Sequence, residues 1–229
     1  MSFIDSLIEK FHKSVFWGRI FHTLNYCLQN ELKDCESVLD IGCGPSSPLQ
    51  YCEWIKYSVG VEPFKPYLEE SKKKKIHTKY LNKKIEELDF SPKSFDAVIM
   101  IEVLEHLPKK TGYEILKKAE KLARKKLIIS TPNGFIKQPP VDKNLYQEHK
   151  SGYVISELAK LEFKCRGLAG LKFLRKPKNE NDSMGEDLMV SLRFKPKIFW
   201  FAVATFSQIF TYFIPQLAFE LFGVRRINQ

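Results

Sequence analysis

The sequence predicts an α/β fold: a Rossmann-like, doubly wound, mostly parallel sheet with N-terminal helices and an apolar C-terminal helical segment. Three observations predict it. From Ser37 to Thr131, short apolar runs alternate with stretches of helical periodicity, a pattern that gives a parallel sheet covered on both faces. The first run opens into a glycine pair, Gly42 and Gly44, and the second ends in an acid, Glu62.

The elements follow in order. Apolar residues recur at helical spacing from Phe3 through Ile4, Leu7, Ile8 and Phe11, then Val15, Phe16, Ile20, Phe21 and Leu24. One or two amphipathic helices over residues 1–34 therefore cap the core. "SVLDIG" (37–42), "SVGVE" (58–62), "FDAVIMI" (95–101) and "KLIIST" (126–131) read as buried strands. Between them "SPLQYCEWI", "PYLEESKKKK" and "TGYEILKKAEKLARKK" read as helices. A Pro-rich loop (137–144) precedes a helix from about Val154 to Leu161, and "FKCRGLAGLKFLR" (163–175) reads as a strand or hairpin. The α/β domain thus spans 35–175, with a polar loop and basic linker over 176–196.

Residues 197–229 are expected to form an apolar helix or hairpin. From Ile198 to Phe219 there are 22 residues without a charge, flanked by Arg193, Lys195 and Lys197 and by Arg225 and Arg226. Thr205, Gln208, Tyr212, Gln216 and Glu220 form a polar stripe at helical spacing, and Pro215 interrupts the run. Three arrangements fit: lying on a membrane through 198–223, packing on the N-terminal helices or a second copy in a homodimer, or spanning a bilayer.

Composition narrows the class. With 44% hydrophobic and 28% charged residues the 229-residue chain is globular. The net charge of +10 admits an anionic partner, though much of it sits in solvated lysine runs such as Lys72–Lys75. Cys27, Cys35, Cys43, Cys52 and Cys165 are odd in number and contain no Cys-x-x-Cys pair. A disulfide framework and a zinc knuckle are thereby disfavoured, and a cytoplasmic location, or the inner face of a membrane, is expected. The N-terminus lacks the uninterrupted apolar core of a signal peptide.

The glycine pair belongs to a ligand-binding turn, since a strand that ends there leaves backbone N–H groups facing outward. No lysine follows as a nucleoside triphosphate loop requires. A dinucleotide loop would place a third glycine where Ser47 stands. Asp40 before the glycines suits an ammonium-bearing ligand, and Glu62 suits the two hydroxyls of an adenosine ribose.

"LDIGCG", "VGVEPF", "FDAVIMIEVLEHL" and "LIISTPN" resemble, in order and spacing, the class I S-adenosylmethionine-dependent methyltransferases. The likeness covers about residues 36–135 and is greatest to the small-molecule branch, methyltransferase type 11, that includes ubiquinone-type O-methyltransferases. It implies S-adenosylmethionine as cofactor. Gly42 and Gly44 would line its methionine end, with Asp40 shaping the loop and Glu62 holding the ribose. Ile85 would pack on the adenine with Glu86 beside it, and Ile101 would contact the cofactor with Glu102 following. The family often has Asp where this chain has Lys84, so that position receives no role.

Methyl transfer from a sulfonium needs alignment, exclusion of water and, for a hydroxyl acceptor, a base. "YQEHKSGY" (146–153) lies where relatives bind substrate. His149 is the expected base or substrate contact, His106 the second candidate, and Tyr146 and Tyr153 expected substrate contacts. Glu105 reads as a residue that caps or pairs within its helix. No metal site is expected, because carboxylates and histidines are not clustered at ligand spacing in the sequence. The expected activity is methylation, at oxygen, of a small or lipid-like acceptor. The alternatives are an NAD-dependent oxidoreductase and a catalytically inactive, membrane-anchored scaffold. Nucleic acid is disfavoured as acceptor, because no Asn/Asp-Pro-Pro-Tyr/Phe motif follows residue 101.

Overall fold

The apolar runs of the sequence become neighbours in one sheet. The computed structural model describes residues 14–176 and 191–227. Its strands are β1 (Ser37–Ile41), β2 (Tyr57–Val61), β3 (Lys79–Leu81), β4 (Phe95–Ile101), β5 (Ala123–Pro132), β6 (Lys164–Leu171) and β7 (Ala218–Arg226). They form a seven-stranded sheet in the order β3-β2-β1-β4-β5-β7-β6. β1 to β5 run parallel, with Asp40 beside Gly60 on one side and Ile99 on the other. β7 runs antiparallel to both β5 and β6. β3, a short strand with no fully buried residue, carries no apolar run and is not expected from the sequence.

Six helices accompany the sheet among the described residues: α1 (Val15–Phe21), α2 (Leu24–Leu32), α3 (Lys65–Lys73), α4 (Lys109–Leu122), α5 (Ile155–Lys160) and α6 (Lys197–Thr211). Ser14 and Thr23 cap α1 and α2 through side-chain oxygens, each satisfying a backbone N–H of a first turn. The helix expected over residues 3–13 lies outside the described residues. α2 buries Cys27, Leu28 and Leu32 against Val38, Ile99 and Ile128 on one sheet face. α4 buries Ile115, Leu116, Ala119 and Leu122 with Leu39, Val98 and Leu127 on the other. Both faces of the central strands are dry, which is why those strands read as unbroken apolar runs.

Two expected helical segments differ. "SPLQYCEWI" forms only a single 3-10 turn, Pro48–Tyr51. Ser47 accepts the Leu49 N–H, the Cys52 N–H bonds to the Leu49 carbonyl, and Trp54 donates its indole N–H to the Leu32 carbonyl. The chain is thereby turned back toward β2.

The second difference is larger. Residues 197–229 are neither one apolar helix nor a helical hairpin. α6 ends at Thr211, Pro215 opens a short turn, and 218–226 insert as β7 between β5 and β6. An apolar run buried on both faces of a sheet has the same pattern as a buried helix, so periodicity does not separate them. No described helix is long and apolar enough to cross a membrane.

α6 is also turned the other way round from an ordinary surface helix. Its polar side faces inward: Ala204, Ser207, Gln208 and Thr211 are buried. The reason lies in an irregularity of β6, where Ala169 and Gly170 take positive φ and the register with β7 shifts between Leu168 and Leu171. Backbone groups freed there need partners. Gln208 accepts the Gly170 N–H at 2.8 Å and donates to the carbonyls of His22 and Gly167, while Ser207 accepts the Leu171 N–H at 3.0 Å.

Candidate active site

At the C-terminal edge of β1, β2 and β4 a cleft of about 1730 Å³ opens, where parallel sheets of this kind bind ligands. The Gly42–Gly44 loop forms its floor. Gly42 has φ +70°, and a Cβ there would lie 2.5 Å from Val103 Cγ2. Gly44 has φ +56° and open space where its Cβ would be. The first glycine lets the loop pack on the β4 side, and the second leaves room for a ligand against the backbone.

Asp40 lies beneath this loop, 1% exposed, with Oδ2 2.9 Å from Nε2 of the buried His77. His77 stands 37 positions away, and no motif announces it. Glu62 is 5% exposed. Its Oε2 accepts the Gly44 N–H at 3.1 Å and its Oε1 the Phe64 N–H at 2.8 Å. Each carboxylate oxygen retains a second lone pair for a ribose hydroxyl. Burial pushes this carboxyl up to about 7, against the two backbone N–H donors and with help from the Asp40 charge. Ile85, buried in a short turn, and exposed Glu86 line the same cleft, as do Ile101 and Glu102. All eight residues expected to meet the cofactor thus border one cavity, and the open Gly44 and the remaining capacity of Glu62 fit S-adenosylmethionine.

The same cleft is lined by His106 and His149 and by Tyr146, whose ring centroid lies 5.9 Å from the Lys84 ammonium. His149 is brought there by the backbone: the N–H groups of Lys150 and Ser151 both bond to the Glu105 carbonyl, and Ser151 Oγ donates to the Leu104 carbonyl. The two imidazoles meet edge to face with centroids 4.8 Å apart. His149 Nδ1 lies 2.6 Å from the Ile136 carbonyl and His106 Nδ1 lies 3.2 Å from that of Glu148. A carbonyl only accepts, so in the neutral imidazoles Nδ1 carries the hydrogen and Nε2 the lone pair.

Glu105 joins them. It is 1% exposed, its Oε1 lies 4.0 Å from His106 Nε2, and neither oxygen makes a hydrogen bond of ordinary geometry. Thr131 and Glu102 are its polar neighbours, and burial together with the Glu102 charge holds its carboxyl well above the usual range. It lies in a 3-10 turn, Leu104–His106, and its nearest charged-group neighbour there is the adjacent His106. Glu102 itself has φ 54°, rare for a residue with a side chain, and its Oε1 accepts from Ser130 Oγ at 2.8 Å.

Two expectations are corrected here. Tyr153 is not a substrate contact: it is wholly buried, bridges to Asn133, and lies against Gly112, with the Lys109 ammonium 3.9 Å from its ring centroid. Its place in an otherwise polar loop hid a core role. The expectation that carboxylates and histidines stay apart fails as well. Glu105, His106 and His149 bring one ligand atom each within 4.8 Å of one another, because strand topology joins segments that lie 43 positions apart in sequence.

Sequence reasoning also missed one wall of the cleft. Phe201, Ala204, Thr205 and Gln208 of α6, with Phe219 and Glu220 of β7, line it. Their apolar setting and the polar stripe of Thr205, Gln208 and Glu220 were legible, but not their place at the cleft.

Residues 39–129 match the family model described as a methyltransferase domain. No curated protein matches the chain. Among solved structures, the chain is similar to 1,6-didemethyltoxoflavin-N1-methyltransferase of Burkholderia thailandensis, with bound 1,6-didemethyltoxoflavin and S-adenosylhomocysteine. That likeness has a TM-score of 0.54 at 16% identity, over 90% of this chain and 76% of that one. A SAM-dependent methyltransferase from Archaeoglobus fulgidus superposes with TM-score 0.51 at 17% identity, over 92% and 98%. The plantazolicin methyltransferase BpumL in complex with SAH gives 0.52 at 15%, over 95% and 85%. At these identities the shared property is the fold.

Proposed function

We propose that the protein is an S-adenosylmethionine-dependent methyltransferase that methylates a hydroxyl oxygen of a small or lipid-like acceptor, a reading supported by the match of residues 39–129 to a methyltransferase domain. When bound, S-adenosylmethionine supplies a methyl carbon on positively charged sulfur; the acceptor oxygen displaces it, the C–O bond forming as the C–S bond breaks with its electron pair left on sulfur. The chain's own tasks are to hold the two partners in line, exclude water and receive the hydroxyl proton.

The observation that carries the reading is the pair of histidines lining the cofactor cleft. With Nδ1 committed to backbone carbonyls, each offers Nε2 as the proton acceptor, and His149 is the proposed base. Imidazole is suited to that role near neutral pH. Tyr146, 42% exposed and lining the same cleft, is proposed to contact the acceptor.

A lipid-like acceptor is favoured by α6. The helix lines the cleft with Phe201 and Ala204 and presents Phe199, Phe206 and Phe210 to solvent. Phe206 meets Phe21 edge to face, and the exposed Phe16 and Trp17 of α1 extend the same apolar surface. Exposed Arg193 and Lys195 lie just before the helix. An aromatic face with basic neighbours suits the surface of an anionic membrane, and that contact is proposed for the exposed aromatic residues of α6 and α1; the remainder of 198–223, from Ala218 on, is strand β7 inside the sheet and takes no part in it.

Incubation with methyl-labelled S-adenosylmethionine and a lipid extract tests the activity. Label is expected on an oxygen of the product. His149→Ala is expected to abolish turnover while S-adenosylhomocysteine binding by calorimetry stays within about twofold. Label on nitrogen or carbon, or undiminished turnover, contradicts the reading.

A further inference from the structure

We propose that Glu105, His106 and His149 form a binding site for a divalent transition-metal ion, next to Glu102 and lining the cofactor cleft. The three ligand atoms lie within 4.8 Å of one another. Bound at about 2.0–2.2 Å from one ion, such atoms stand roughly 3–3.5 Å apart. Each therefore moves by less than about an ångström to ligate.

Three independent features of the cluster point the same way. Glu105 is buried, neither of its carboxylate oxygens makes a hydrogen bond of ordinary geometry, and one of them lies within 4.8 Å of a ring nitrogen of each histidine, an arrangement that is costly without a partner. Both histidines donate Nδ1–H to backbone carbonyls. That is the outer-shell support that fixes the ring and turns the Nε2 lone pair toward a metal. Glu102, a second carboxylate at the end of β4, lines the same cleft, with its Oε1 2.8 Å from Ser130 Oγ. A dication suits a site bordered by two carboxylates.

One carboxylate and two imidazoles favour manganese, iron, cobalt or zinc over magnesium or calcium, which prefer all-oxygen sites. Three protein ligands leave positions open for a further group. Its role, though not the site itself, rests on the proposed methylation of oxygen. A hydroxyl bound at an open position becomes more acidic and releases its proton to water. The oxygen pair then forms the C–O bond as the C–S pair returns to sulfur, and the ion keeps its charge. In this arrangement His149 is a ligand and no longer the base.

The test uses the full chain, stripped with a chelator and titrated with manganese(II) or cobalt(II) by calorimetry, with S-adenosylhomocysteine binding as the check of fold. One ion per chain is expected. His106→Ala, His149→Ala and Glu105→Gln are each expected to weaken it about tenfold or more. In the wild-type chain, bound manganese is expected to broaden the imidazole NMR signals of His106 and His149 before those of the other histidines. A chain that binds S-adenosylhomocysteine but no ion overturns the proposal, as does binding that survives both histidine substitutions or broadening centred elsewhere. Methyl transfer that persists in chelator, with no ion bound, removes the metal and leaves the methyltransferase reading standing. Ion binding with no methylated hydroxyl in any extract removes the oxygen acceptor and leaves the site.

Discussion

Glu62 is buried beneath the glycine loop with its carboxyl raised to about 7 by desolvation. A ribose hydroxyl donates to it most strongly when it is ionised, so cofactor binding should release a proton and tighten as pH rises through 7. Without ligand the sign is the reverse for folding. The unfolded carboxyl ionises near 4.5 and the folded one near 7, so this group's contribution to stability is present below 4.5 and is lost as pH rises through that window. Calorimetry with S-adenosylhomocysteine at pH 6 and 8 checks the first statement, tighter binding at pH 8 being expected. Glu62→Gln should weaken binding by about tenfold to a hundredfold, as expected for a lost hydrogen bond to a charged group. The substitution should also flatten the pH dependence. A steep dependence that survives it would assign the proton elsewhere. At this scale the sequence was readable where chemistry follows a local motif, as for Gly42, Gly44 and Glu62. It was silent on the His77 partner of Asp40, since that contact is made by the sheet and not by spacing.

α6 shows how an element takes its orientation from a neighbour's backbone. The polar stripe could as well have faced water, and the helix would then have buried its aromatic side. What decides is the irregular stretch of β6, whose N–H groups of Gly170 and Leu171 are met by Gln208 and Ser207. Gln208→Leu keeps the volume and removes the three bonds of Gln208, leaving the Gly170 N–H and the carbonyls of Gly167 and His22 without that partner. A loss of about 1–3 kcal/mol is expected, read as a fall in Tm of about 2–4 °C per kcal/mol. An unchanged Tm would mean that the β6 irregularity does not set the helix orientation. Substitutions on the exposed face, by contrast, should leave Tm nearly unchanged.

For the whole molecule, the inverted helix creates one aromatic surface from two ends of the chain. Phe206 and Phe210 are 61% and 70% exposed, and apolar patches of this kind mark contact surfaces. Full-length protein is expected to co-sediment with phosphatidylglycerol vesicles and less with phosphatidylcholine vesicles. The double substitution Phe206→Asp, Phe210→Asp should release it while S-adenosylhomocysteine binding remains. Sedimentation that survives the double substitution, or none with the unaltered chain, rules out this face as a lipid contact.

The sequence by itself determined the strand–helix alternation, the glycine loop, the acid at the end of β2 and, with them, the class of cofactor. These are local properties: period, turn chemistry and short spacing act within a few residues and leave their mark in order. Tertiary structure alone decided that residues 218–226 are the seventh strand, that Tyr153 is core, that α6 faces inward, and that Glu105, His106 and His149 meet. Each depends on which segments lie side by side once the sheet is closed. An apolar run buried by two neighbours looks the same whether it is coiled or extended. A cluster drawn from separated loops exists only after β4 and β5 have set their ends together.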